Sequence, residues 1–120
     1  MAIEFEIADR QVDDAYVVAV TGEIDLFTVP EFKDRIAKAI DAGVATIVVD
    51  LTETTFIDSS SLGVLISAHR RLAGRGGSLR VVCTNDAIVK TFRITGLDGV
   101  LAVAGSVDEA LGDGALPAGS

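Results

Sequence analysis

The chain has 120 residues, 49% of them hydrophobic and 23% charged, with 18 acidic against 10 basic side chains for a formal charge of -8. That length fits one domain with a substantial core, and an aromatic content of 5% leaves few platforms for stacking on nucleobases. The acidic balance, with no run of Lys or Arg to neutralise a phosphate backbone, opposes nucleic acid and anionic membranes as partners.

Ile3, Phe5 and Ile7 alternate with Glu4 and Glu6, and residues 16–20 form a β-branched run beyond an Asp13–Asp14 turn, so a β-hairpin is expected. Gly22, Glu23, Ile24 and Asp25 then leave the second strand as an acidic loop. Thr28 and Glu31 have capping-box spacing before a helix over residues 29–41, whose Phe32, Ile36, Ala39 and Ile40 share one face. Gly43 stops this helix and Thr46 opens the next strand, giving a strand–helix–strand unit with an expected right-handed crossover. Ile47, Val48 and Val49 are apolar on both faces, as in a strand covered on both sides, and a polar turn is expected between them and the following helix.

That helix begins at Asp58 and Ser59, where short side-chain oxygens accept hydrogen bonds from first-turn N–H groups, and its face carries Leu62, Leu65, Ile66, Leu72 and Ala73. Residues 74–77 turn the chain into a strand over residues 78–83. Asn85 or Asp86 caps a helix bearing Ile88, Val89 and Phe92, and Gly96 ends it. A short edge strand is predicted over residues 100–103, and Ser106 with Glu109 repeats the capping-box spacing. The expected organisation is one α/β domain over residues 1–111, a mixed sheet with an N-terminal hairpin, parallel central strands and helices packed on it, followed by a flexible tail over residues 112–120.

No secretory leader is visible, and no apolar run approaches the roughly 20 residues that cross a bilayer, so a cytoplasmic protein is expected. The single cysteine, Cys83, excludes an internal disulfide and reads as a small buried hydrophobe. His69, the only histidine, lies ten residues beyond Ser59 on the same predicted helix. At about 1.5 Å rise per residue the pair is separated by roughly 15 Å, outside the reach of a nucleophile and its base. The segment IDSSSLG lacks the spacing of a nucleophile elbow, and GRGG at residues 74–77 lacks the lysine of a phosphate loop. One Cys and one His supply too few soft ligands for a metal cluster. No catalytic residue, metal or cofactor is expected, and the chain reads as a non-enzyme.

Asp58, Ser59, Ser60 and Ser61 remain as the distinctive cluster. A phosphate on one of these serines meets free N–H donors and the favourable end of the helix dipole. Spacing leaves open whether the cluster is a modification site or only a well-capped helix, and it does not choose among the three serines. Because loops at the carboxyl ends of neighbouring parallel strands share one edge, the Glu23–Asp25 loop is expected beside them.

In these residues, the Gly22–Asp25 segment, residues 48–51, Phe56 to Ser60 with Leu62 and Gly63, and Phe92 with Gly96 and Leu97, the sequence resembles the STAS-domain anti-sigma factor antagonists of bacterial partner switching. The resemblance implies that Ser59 is phosphorylated by an anti-sigma factor that is itself an ATP-dependent serine kinase. It further implies that the unphosphorylated form binds this kinase and frees a sigma factor, and that a serine phosphatase restores the bound state. Glu23, Asp25, Asp58, Ser60, Ser61, Leu62 and Gly63 are the partner-binding residues it suggests. Ser61 departs from the family's usual glycine, and at a contact surface it would crowd the partner backbone. Family members without phosphorylation imply an alternative, a STAS subunit scaffolding a transport or lipid-trafficking complex.

Overall fold

A computed structural model of the chain describes residues 5–112. Ile3 and Glu4 of the expected first strand, and residues 113–120 of the expected tail, lie outside the described residues. Five strands lie in the order β1-β2-β3-β4-β5. β1 (Phe5–Val12) and β2 (Ala15–Ile24) pair antiparallel across the Asp13–Asp14 turn, where Asp13 takes φ 53°. Asp is one of the few residues besides glycine that visit that left-handed conformation. β3 (Thr46–Ile57), β4 (Ser78–Val82) and β5 (Ala102–Ala104) each pair parallel with the strand before them, which gives the expected mixed sheet.

α1 (Val29–Asp41), α2 (Ser59–Ala73) and α3 (Asp86–Ile94) bury their apolar faces in one core cluster. α4 (Val107–Leu111) covers the opposite face of the sheet, where Ala110 meets Val17, Val48 and Val82. Strands so placed are covered on both sides, and Val17, Val18, Val48 and Val49 are fully buried. In α2 the buried face is Ser61, Leu62, Leu65, Ala68 and Leu72, so Ala68 takes the place expected for Ile66 and Ala73. Cys83 is buried, and burial raises its thiol pKa and disfavours the thiolate. Among the described residues no helix is long and apolar enough to cross a membrane.

Several local expectations are corrected. Gly22, Glu23 and Ile24 belong to β2, so the loop begins only at Asp25. The polar run before α2 is strand: β3 continues through Thr52–Ile57, because β-branched threonines suit a pleated backbone and their outward faces meet solvent. Its pairing with β2 slips twice, from Ala19↔Asp50 to Thr21↔Glu53 and from Gly22↔Thr54 to Glu23↔Phe56, so β3 carries an extra residue at each step. Such bulges bend the strand and increase its twist. Val20 is skipped at the first slip, and the buried Thr54 hydroxyl donates to its carbonyl at 2.8 Å.

Thr28 makes no capping bond to α1, because its hydroxyl turns back to donate to the Glu23 carbonyl at 2.9 Å. Asn85, not Asp86, caps α3. At α4 the Ser106 hydroxyl accepts from the Glu109 N–H at 3.1 Å, while the Glu109 carboxylate reaches the Gly105 N–H and not that of Ser106. β5 starts two residues later than expected, since Val100 and Leu101 both bond back to the Leu97 carbonyl in a 3-10 turn.

Gly77 lies where the chain enters β4, and a Cβ there would overlap the Ala45 backbone carbonyl that accepts from Ser78 N–H at 2.8 Å. Backbone cannot move aside as a flexible side chain does. Gly77→Ala is expected to lower folding stability by about 2 kcal/mol, seen as a reduced urea midpoint at unchanged slope.

Candidate functional site

The site is built where β2 and β3 end side by side, with Glu23 opposite Phe56 and Ile24 opposite Ile57. Asp58 follows β3 at once and takes an extended conformation as the N-cap of α2. Its Oδ1 accepts from the Ser61 N–H at 3.1 Å and the Ser60 hydroxyl at 2.5 Å, and it shares the one Ser61 hydroxyl proton, at 3.0 Å, with the Ile24 carbonyl. The Ser60 hydroxyl bond is foremost in holding the Asp58 carboxyl below the usual carboxylate range. Partial burial works against it, and the Ser61 bonds reinforce it.

The three serines have three different situations. Ser59 is exposed, and among the described residues its hydroxyl takes part in no hydrogen bond. Ser60 is half-buried and committed to Asp58. Ser61 is fully buried, contrary to the expectation of an accessible partner contact. Its hydroxyl faces the Ile24 carbonyl at 2.9 Å and accepts from the Asp58 N–H at 3.4 Å, completing a capping box and joining the start of α2 to the end of β2. A buried hydroxyl with partners on two elements belongs to the interior, so Ser61 does not crowd a partner backbone. Leu62 also turns into the core. Gly63 stays at the surface, and a Cβ placed on it meets nothing within 4 Å.

The expected neighbourhood of the acidic segment and the serine turn is present, through the Ser61–Ile24 bond. Glu23 is exposed and Asp25 half-buried. The Asp25 carboxylate accepts from the N–H groups of Phe27 at 2.9 Å and Thr28 at 3.1 Å, and the Asp25 N–H donates to the Thr28 hydroxyl at 2.8 Å. Asp25 therefore shapes its loop. Reading the sequence missed what that loop displays: Leu26 is 73% and Phe27 93% exposed. The available signal was two large apolar residues in succession between a strand and a helix cap, a place where turn residues are the norm. His69 is half-buried on α2, and its Nδ1 is buried without a hydrogen-bond partner among the described residues. Among those residues no group of three or more His, Cys, Asp or Glu side chains is placed to hold a metal ion.

Comparison with known proteins places these features in context. The profile of the STAS domain matches residues 6–110. An anti-sigma-B factor antagonist from Listeria monocytogenes is 33% identical over 104 residues, covering 86% of this chain and 90% of that protein. The crystal structure of an anti-sigma factor antagonist from Mycobacterium paratuberculosis aligns with a TM-score of 0.84 at 28% identity, over 89% of this chain and 91% of that one. The Bacillus cell fate determinant SpoIIAA, solved in its phosphorylated form, aligns with a TM-score of 0.68 at 25% identity, over 89% of this chain and 96% of that one.

The bonds at Asp58 and Ser61 are testable through stability. Ser61→Ala leaves the Ile24 carbonyl without its hydroxyl partner and is expected to cost about 1–3 kcal/mol in urea denaturation at neutral pH. Because the folded Asp58 carboxyl lies below its unfolded value of about 3.9, its contribution is complete above that pH and is lost as pH falls through the lower folded value. Asp58→Asn, which can still cap, is expected to flatten the fall in stability below about pH 4 relative to the unsubstituted chain.

Proposed function

The chain belongs to the STAS domain family, and from that premise we propose that it is an anti-sigma factor antagonist switched by phosphorylation of Ser59. Unphosphorylated, it binds an anti-sigma factor that is also a serine kinase and so frees a sigma factor. The kinase then transfers phosphate from ATP. The Ser59 oxygen attacks the γ-phosphorus, the bond to the β-phosphate oxygen breaks, ADP leaves, and a base on the kinase takes the hydroxyl proton. A serine phosphatase returns the chain to the binding form by hydrolysis to inorganic phosphate.

The observation that carries this reading is the difference among the serines: Ser59 alone presents an exposed hydroxyl free of local bonds, while Ser60 is held by Asp58 and Ser61 is buried. At the first residue of α2 a phosphate lies near the positive end of the helix dipole, which favours the folded state. It also brings about -1.5 to -2 charges to a surface that already carries Glu23, Asp25 and Asp58. An interface built to receive a neutral serine loses affinity through the cost of removing water from the dianion. Binding therefore falls while the fold persists. The reaction needs no catalytic group, metal or cofactor from this chain, and the partners are proteins, with no role for nucleic acid or membrane.

Ser59→Ala is expected to hold the kinase in the presence of ATP as tightly as in its absence. Ser59→Asp is expected to bind at least about tenfold more weakly than wild type by calorimetric titration. Equal affinities for the two variants, or phosphopeptides carrying the label only on Ser60 or Ser61, would overturn the assignment.

A further inference from the structure

We propose that Leu26 and Phe27 form an apolar anchor by which the anti-sigma factor kinase holds this chain, separate from the hydroxyl it modifies; the inference rests on the function proposed above. Both side chains stand in solvent, at 73% and 93% exposure. They are not on a loose segment. Asp25 accepts from the Phe27 and Thr28 N–H groups, the Val29 and Thr28 N–H groups bond to the Asp25 carbonyl, and the Thr28 hydroxyl fastens the loop to the Glu23 carbonyl. A loop whose backbone is fixed in advance displays its apolar groups with no further backbone ordering cost on association, a condition that favours an aromatic side chain as a binding hot spot.

The position of the loop identifies its occupant. Ile24 and Ile57 are register partners on adjacent parallel strands, roughly 4.8 Å apart. Phe27 follows three residues after the first and Ser59 two residues after the second, and the Ser61 hydroxyl ties the two exits together at Ile24. A kinase that closes on Ser59 and excludes water from phosphoryl transfer reaches the loop in the same approach. Charge argues for a kinase over a second copy of this chain. Glu23, Asp25 and Asp58 surround the approach, so two copies meeting here would oppose like charges, whereas a protein that cradles ATP is cationic around its nucleotide.

Ile94 supplies the control. It is a large apolar side chain, 71% exposed, on α3, which follows β4 and belongs to neither the β2 nor the β3 exit. The test uses the full chain as wild type, Leu26→Ser/Phe27→Ser, Ile94→Ser and Ser59→Asp, titrated against each purified anti-sigma factor serine kinase encoded in the same genome. Phosphorylation kinetics with ATP follow for the kinase that binds wild type. The double variant is expected to raise Kd and KM about thirtyfold or more with kcat within about twofold. Its melting temperature should stay within about 2 °C of wild type, since neither side chain is packed. Ile94→Ser should match wild type throughout. A double variant with wild-type Kd and KM beside a weakened Ser59→Asp overturns the anchor and leaves the proposed function standing. Equal weakening by Ile94→Ser also overturns the anchor. Equal binding of wild type and Ser59→Asp, or no binding by any kinase, overturns the function and the anchor with it.

Discussion

Neighbouring parallel strands end on the same edge of a sheet, and β2 and β3 are neighbours covered on both faces. A one-residue slip between them would carry Val18, Val20 and Ile24 out of one core cluster and bring polar side chains inward, so their register is strongly held. The two bulges act within that constraint: they absorb two additional residues of β3 and still leave Ile57 opposite Ile24. With those two residues aligned, the Asp25 loop and the Asp58 turn have one place to go. The Ser61–Ile24 hydrogen bond then closes the corner between them.

Much of this was legible in the chain because it is written in local pattern. The span of α1 follows from a four-residue buried stripe ending at Gly43, and the cap at Asp58 follows from short side-chain oxygens ahead of an apolar period. The hairpin followed from two β-branched runs around Asp13 and Asp14. What stayed hidden depends on partners distant in sequence. Ser61 is buried because a carbonyl 37 residues earlier comes to meet it, and nothing adjacent to Ser61 announces Ile24. Thr28 looks like a capping threonine, but its hydroxyl is drawn to Glu23 by a loop conformation that Asp25 imposes. The strand through Thr52–Ile57 looked like a turn because its polarity comes from facing solvent and from one threonine that serves a skipped carbonyl.

The site combines a rigid frame with one unengaged group. Asp58 Oδ1 accepts from the Ser60 hydroxyl and the Ser61 N–H and fixes the first turn of α2, while the Ser59 hydroxyl is left to solvent. A switch of the proposed kind depends on this division. If the modified hydroxyl were part of the cap, adding phosphate would break the bonds that define the turn, and loss of binding would come with loss of structure. With capping assigned to Asp58, Ser60 and Ser61, the charge change at Ser59 acts outward on whatever covers the surface.

The same division changes the meaning of Ser61. A serine at a contact surface would be expected to alter affinity by crowding the partner. Here the hydroxyl points inward, shares its one proton between the Ile24 carbonyl on β2 and Asp58, and has no exposed surface to offer. Its effect falls on how firmly the two loops are joined, not on what they touch. Under the proposed function, discrimination between partners falls to side chains that do reach solvent at this edge: Glu23, the Leu26–Phe27 pair, half-exposed Phe56 and the open surface at Gly63. A buried substitution can keep those groups in register, but only the exposed ones can distinguish partners.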